Sequence, residues 1–93
     1  MILGKQLLRS ATSTAANYRA ACRARSTTEF IAKLGIVVEE SDEVVFWLEL
    51  MTETDILDIN KVQHLMKEAN EIMKISSSAR RTAKNNQAKS RIN

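Results

Sequence analysis

The chain has no proline and only two glycines in its 93 residues. Because tight turns depend heavily on those two residues, the sequence offers almost none of the breaks that a β-sheet protein needs. Strong helix formers dominate instead, among them Ala, Leu, Glu, Lys, Arg and Met. The composition therefore predicts an all-α protein, and the length predicts one small domain with room for about three helices.

Cysteine and aromatic residues are also scarce. Cys22 is the only cysteine, so the chain cannot form an internal disulfide and offers no cysteine cluster for a metal. The few aromatic residues predict a mainly aliphatic core. The sequence contains no run of about 18 apolar residues and no signal-peptide core after Met1. We therefore expect a cytoplasmic protein, in a reducing compartment, without membrane association.

Acidic residues are absent from two long parts of the chain, a pattern that the net charge of +3 conceals. Residues 1–25 contain no acid, residues 26–58 contain nine acids and the single basic residue Lys33, and no acid follows Ser78. A fold alone does not require such blocks, so they indicate partners of opposite charge. The alternative is that basic and acidic faces lie side by side in a helix bundle and are solvated.

The first predicted helix covers about residues 3–24 and has two distinct faces. One face is small and apolar and is predicted to face the core: Leu7, Leu8, Ala11, Ala15, Tyr18 and Cys22. The opposite face carries a basic stripe: Lys5, Arg9, Arg19 and Arg23. From Arg9 to Arg23 the stripe spans roughly 21 Å, about the reach of several successive phosphates on one strand.

The second predicted helix begins at a capping box and runs to about Thr52. Ser26 can accept a hydrogen bond from the backbone of Glu29, whose carboxylate can reach back to the Ser26 N–H. A heptad seam then predicts the core-facing side: Phe30, Leu34, Val37, Ser41, Val44, Leu48 and Met51. Four apolar residues fall elsewhere and predict an oligomer contact: Ile36, Phe46, Trp47 and Leu50. The alternative is a Trp47 half-covered by its neighbours.

The third predicted helix follows the polar connection at residues 52–58 and is capped by Asp58 or Asn60. Its apolar period fades beyond Ala83, so we predict a helical bundle domain at residues 1–84 and a basic, mobile tail at residues 85–93. His64 has no neighbouring ligand or nucleophile in this pattern. The sequence therefore predicts no catalytic residues, no metal site and no cofactor.

Several short elements of the chain, taken together, resemble one known family. They are Leu8-Arg9-Ser10-Ala11, Ala16-Asn17-Tyr18-Arg19, Ala21-Cys22-Arg23, Phe30-Ile31-x-Lys33-Leu34 and the acidic segment that ends in Trp47-Leu48-Glu49-Leu50. The combination resembles the four-helix-bundle proteins encoded in intervening sequences of bacterial 23S rRNA genes. Residues 62–84 resemble this family more weakly.

The resemblance implies an antiparallel helix bundle that assembles as a homopentamer and catalyses no reaction. Related accessory proteins of diversity-generating retroelements have a basic surface and work with a reverse transcriptase and its RNA, which makes both expected partners. Members of the family carry a further helix before the one that begins near Gly4. We therefore expect three helices with an open face shaped for a fourth. The chain also departs from the family at Ala15, where members usually have Gly or Pro.

Two functional hypotheses follow from the sequence. The first is a non-catalytic protein that binds RNA or DNA through basic residues: Lys5, Arg9, Arg19, Arg23, Arg25, Arg80, Arg81 and Lys84. The second is a structural self-assembly module without a nucleic-acid ligand, in which the basic first helix pairs with the acidic second helix of a neighbouring subunit. Salt-dependent binding to nucleic acid distinguishes the two.

Overall fold

A computed structural model describes residues 2–54 and 58–92 and consists of three long helices. Helix α1 spans Ile2–Cys22, α2 spans Thr27–Glu53 and α3 spans Ile59–Ile92. No strand occurs in the ranges that the structure describes. The predicted all-α class is confirmed. Part of the predicted polar connection, residues 55–57, lies outside the described residues.

The three helices form a narrow rod of 55 × 18 × 15 Å in which α2 is the central element. Helices α1 and α3 each pack along α2, but within the described chain no Cα atom of α1 comes within 8 Å of one in α3. Successive helices run antiparallel, since residues 9 and 40 are in contact across α1 and α2, and residues 28 and 87 across α2 and α3. The end of α1 therefore lies beside the start of α2 and the end of α3.

The junction between α1 and α2 carries the predicted cap with one change of partner. The Ser26 Oγ accepts a hydrogen bond from the Glu29 backbone N–H at 3.0 Å, as the capping box predicts. The Glu29 carboxylate, however, accepts from the N–H of Arg25 at 3.2 Å, not from that of Ser26. Helix α1 ends at Cys22, two residues before the predicted end at Ala24. The short link of residues 23–26 is thereby fixed between the helices.

Helix α3 starts as predicted but extends further than predicted. The Asp58 carboxylate accepts a hydrogen bond from the Asn60 N–H at 2.8 Å, so of the two predicted caps the structure uses Asp58. The helix continues through the segment predicted as a tail and ends at Ile92. Gln87 lies within this segment and donates to the Thr28 hydroxyl at 3.0 Å. The expected loss of helix after Lys84 is wrong, because residues 85–92 contain no Gly or Pro to stop it.

The core consists of the α2 seam and of small residues from the flanking helices. Most of the predicted α2 seam is buried, while Phe30 and Val44 are half-buried. The buried members are Leu34, Val37, Ser41, Leu48 and Met51. Two buried hydroxyls form hydrogen bonds within their own helices: Ser41 donates to the Val37 carbonyl at 2.6 Å, and Thr14 donates to the Ser10 carbonyl at 2.8 Å.

The predicted core face of α1 is wrong. The buried residues of α1 are Ser10, Thr14 and Ala21, whereas Leu8 is 69% exposed and Tyr18 is 44% exposed. Helix α3 repeats this arrangement, because it buries Val62, Ala69 and Ser76 and exposes larger residues. Small side chains at the interface let a flanking helix approach α2 closely, and the larger ones are displaced to the side. None of the described helices holds a segment long and apolar enough to cross a membrane.

Candidate nucleic-acid interface

The antiparallel topology brings the two acid-poor parts of the sequence to one end of the rod. The link after α1 lies against α3, since Ala24 and Arg25 line one surface depression together with Ala83 and Asn86. The cations of this end, which we call the basic end, come from α1, the link and α3: Arg19, Arg23, Arg25, Arg80, Arg81, Lys84, Lys89 and Arg91. The basic end is thus built from residues that are about 60 positions apart in sequence.

The cations of the basic end are available to a ligand. All of them except the half-buried Arg80 are exposed. None forms a salt bridge with a carboxylate in the described parts of the chain. Clustered cations without acidic partners create a positive potential that attracts polyanions, and phosphate is the natural target for a guanidinium fork. Five of the predicted nucleic-acid-binding positions besides Arg80 lie toward this end of the rod: Arg19, Arg23, Arg25, Arg81 and Lys84.

Arg9 is placed differently from the other predicted cations. Its guanidinium lies 3.4 Å from the Glu40 carboxylate and 3.3 Å from the Glu43 carboxylate, both on α2. The hydrogen bond that Arg9 donates to the Glu43 carboxylate raises the pKa of Arg9. The pairing of α1 with the acidic α2, which the sequence predicts between subunits, therefore occurs within one chain at this position. Arg9 is a bridge between helices and is already neutralised.

The two carboxylates that hold Arg9 also act on each other. Burial raises the pKa of Glu40, and the adjacent Glu43 raises it further through a hydrogen bond and its charge. The charge of Arg9 works in the opposite direction and lowers it. Lys5, the remaining predicted cation, is exposed one turn before Arg9 and lies away from the basic end. The basic stripe predicted on α1 is therefore divided between two parts of the rod.

An apolar groove lies between α1 and α3 on the side where α2 forms its floor. It is open, has a volume of about 400 Å³ and is lined almost entirely by apolar atoms. Its walls are the side chains displaced from the two helix interfaces, which include Leu7, Leu8 and Ala11 of α1 and Leu65 and Ile72 of α3. The expectation of an open face shaped for a fourth helix stays a prediction.

Comparison with known proteins identifies the family. The model of the 23S rRNA-intervening sequence protein family matches residues 1–78. The chain belongs to this family. It is also similar to a protein of unknown function from the S23 ribosomal protein family of Bacteroides thetaiotaomicron VPI-5482, whose crystal structure is known at 1.70 Å resolution. The two share 36% sequence identity with a TM-score of 0.82, over 87% of this chain and 72% of that one. No curated protein matches the chain.

The residues predicted as an oligomer contact lie on α2 of this intervening-sequence protein without forming one exposed patch. Ile36, Trp47 and Leu50 are half-buried, and Phe46 is 54% exposed. The Phe46 and Trp47 rings meet edge to face with centroids 4.9 Å apart. The Trp47 indole N–H is buried and has no hydrogen-bond partner among the described residues. Trp47 is thus largely covered by its own chain, in line with the alternative that the sequence left open.

The structure also places residues that sequence reasoning passed over. Gly35 lies inside α2, and the guanidinium of Arg80 packs against it. A glycine within a helix interior often marks a close approach by another group, so its position was a usable signal. Ser77 lies one turn before Arg80, and both line a pocket between α2 and α3. His64 forms a surface pair with Glu68 at 3.1 Å, and no three potential metal ligands cluster in the described ranges.

Proposed function

We propose that this intervening-sequence protein binds RNA without catalysing a reaction, and that it acts as a homo-oligomer. One observation carries the proposal: the fold gathers unpaired cations from α1, from the link after it and from α3 at one end of the rod. The charge blocks of the sequence did not require this meeting, because the link after α1 and the end of α3 are about 60 positions apart and come together only through the fold. The resemblance to accessory proteins that work with RNA favours RNA over DNA.

Phosphate binding predicts a characteristic salt dependence. When cations neutralise phosphates, counterions are released, so the logarithm of the binding constant falls linearly with the logarithm of salt concentration. The slope is about −0.7 per neutralised phosphate for single strands and about −0.9 for duplex DNA. A basic end with its exposed arginines and lysines should engage several phosphates and give a steep slope. Fluorescence anisotropy with a labelled single-stranded RNA over a series of salt concentrations measures it directly.

A second candidate function is supported by the apolar groove. A structural assembly module would use the exposed side chains of the groove, such as Leu8 and Ile72, to bind a helix of another subunit. Light scattering of the pure protein, with and without added structured RNA, separates the two functions. RNA binding predicts a complex whose mass rises on addition of RNA and falls back at high salt. An assembly whose mass does not respond to RNA would support the structural module and contradict RNA binding.

A further inference from the structure

The Arg80 side chain is held in an unusual position across the α2–α3 interface. Its Nε–H donates a hydrogen bond to the backbone carbonyl of Ile31 at 3.1 Å. The guanidinium lies against Gly35, where a Cβ atom would come within 3.1 Å of Nε and 3.4 Å of Nη2. The absence of a side chain at position 35 therefore makes room for the guanidinium. One edge of Arg80 is fixed by the protein, and its Nη groups have no carboxylate partner among the described residues.

Arg80 also borders an open pocket between α2 and α3. The pocket has a volume of about 420 Å³, and α3 contributes Ser77, Arg80, Arg81 and Lys84 to its walls. Residues three, four and seven positions apart share one side of a helix, so one hydroxyl and up to three cations can reach the same ligand. Glu39 is the acidic residue in the lining. The pocket therefore has a formal charge of +2.

We propose that this pocket, which we call the Arg80 pocket, binds a phosphodiester group of the RNA backbone. The proposal rests on the proposed function and names where the strand is held. A guanidinium with one edge fixed presents its remaining N–H groups in a planar fork, the geometry that matches two oxygens of one phosphate. Because the position is fixed in advance, little side-chain freedom is lost on binding. Arg81 and Lys84 supply the remaining charge, and the strand continues along α3 toward Lys89 and Arg91.

Substitution of Arg80 tests the pocket against the rest of the basic end. We expect Arg80→Gln to weaken binding of a labelled single-stranded oligouridylate about tenfold, because it removes a charge-assisted fork. Arg80→Lys should recover only part of this loss, since an ammonium keeps the charge without the fork. The matched control is Lys67→Gln, which removes one positive charge from an exposed position of the same helix outside the pocket. Anisotropy at fixed salt gives all three affinities.

Two further variants separate binding from folding. Arg80→Gln also loses the hydrogen bond to Ile31, so circular dichroism and thermal melting accompany each titration. The double variant Arg81→Gln/Lys84→Gln removes exposed side chains only, and we expect it to weaken RNA binding with an unchanged melting temperature. Gly35→Ala places a methyl group against the guanidinium. It should leave helicity intact, because alanine favours a helix more than glycine does, and it should weaken binding by displacing Arg80.

The single carboxylate of the pocket gives a test with the opposite sign. Glu39→Gln removes repulsion toward a phosphate, so RNA affinity should rise severalfold. Inorganic phosphate added as a competitor, and titrated alone by calorimetry, distinguishes a backbone phosphate from a free one. If RNA binds wild type but Arg80→Gln weakens it no more than Lys67→Gln does, the Arg80 pocket is wrong and the proposed function stands. If wild type binds no RNA at low salt, the proposed function fails, and phosphate binding alone would identify a free phosphate as the ligand.

Discussion

The basic end and the apolar groove are two surfaces whose side chains lack partners within the described helices. The first lacks carboxylate partners, and the second lacks apolar ones. At the basic end, cations from α1 and α3 lie without carboxylate partners in the described residues. In the groove, side chains such as Leu8 and Leu65 lie without apolar neighbours to bury them, at 69% and 44% exposure. Binding of a polyanion to the first surface should weaken with salt, whereas apolar contacts in the second should not.

The difference shows what antiparallel packing does to a sequence with charge blocks. The end of the acid-free segment 1–25 and the acid-free end of the chain meet at one end of the rod, because α2 leads the chain away from this end and α3 leads it back. Apart from Glu29 in its first turn, the acids of α2 fall along the middle and far part of the rod, where Glu40 and Glu43 pair with Arg9. Arg9 is therefore part of the basic stripe predicted from the sequence, but in the structure it lies beside acidic residues of α2. Each surface can be tested separately because their residues do not overlap.

The largest effect is expected from charge reversal at the basic end. Arg19→Glu combined with Arg23→Glu replaces two exposed cations by acids, so RNA affinity should fall on the order of a hundredfold or more at moderate salt. Helicity and oligomer size should not change, since both side chains are exposed. The control is Lys61→Glu combined with Lys67→Glu, the same change in charge at exposed positions away from the basic end. Equal losses in the two double variants would mean that only net charge matters.

The sequence predicted the central helix well because its signals are local. The capping box at Ser26 and the heptad seam from Leu34 to Met51 need only the residues themselves and a helical period, and the structure contains both. The cap at Asp58 is local in the same sense. Membership of the family followed from short elements in a consistent order, and the three helices followed from the apolar periods along the chain. Where one helix determines the outcome, sequence patterns were sufficient.

The faces of the flanking helices could not be predicted in the same way. Periodicity identifies an apolar side of α1, and the largest side chains on it suggest the core, yet the structure buries Ser10 and Thr14 instead. Which side packs depends on how closely α1 approaches α2, a property of both helices together. The Arg80 pocket could not be predicted from the sequence for the same reason. Its two parts, Gly35 and Arg80, are 45 positions apart and become related only when α3 lies on α2.

A smaller effect is expected from changes in the groove. Leu8→Glu combined with Ile72→Glu places charge on both walls, so self-association should weaken and light scattering should report a smaller species. Binding of RNA per chain should change less than in the arginine double variant. Ile59→Glu provides the control, because Ile59 is 55% exposed and does not line the groove. An unchanged mass in the groove variant would show that copies of the chain do not meet there.

A change in stability of about 1 kcal/mol is expected at the border of the two surfaces. Ser76 lies between the groove residue Ile72 and Arg80, is 1% exposed, and its hydroxyl has no partner in the described structure. Ser76→Ala removes an unsatisfied buried group and should stabilise the fold. Ser41→Ala is the matched comparison, because that hydroxyl donates to Val37 and its removal should not stabilise. Urea denaturation with unchanged m-values compares the free energies of unfolding of the two variants. Equal changes would contradict the assignment of the Ser76 hydroxyl as unsatisfied.

The smallest effect is expected at Glu40, the α2 carboxylate that contacts Arg9 of the basic stripe. Burial and Glu43 raise its pKa in the folded chain above the ordinary value of 4.5. The folded chain therefore holds this proton more tightly than the unfolded chain does, and Glu40 contributes stability that is complete below the unfolded pKa. That contribution is lost as pH rises through the folded pKa. The free energy of unfolding, measured from pH 4 to neutrality, should therefore include a decrease with rising pH. This decrease should be absent in Glu40→Gln.

At neutral pH, Glu40→Gln removes a carboxylate that burial and Glu43 disfavour, but also one of the two partners of Arg9. Glu43 keeps its contact with Arg9 at 3.3 Å, so α1 stays linked to α2 and stability at neutral pH should remain equal or rise slightly. Glu49→Gln, at an exposed position of the same helix, controls for the loss of one negative charge. A pronounced loss of stability in Glu40→Gln alone would show that attraction to Arg9 outweighs burial. The Arg9 bridge would then stabilise the α1–α2 pair through its charge, and the folded pKa of Glu40 would lie below its ordinary value.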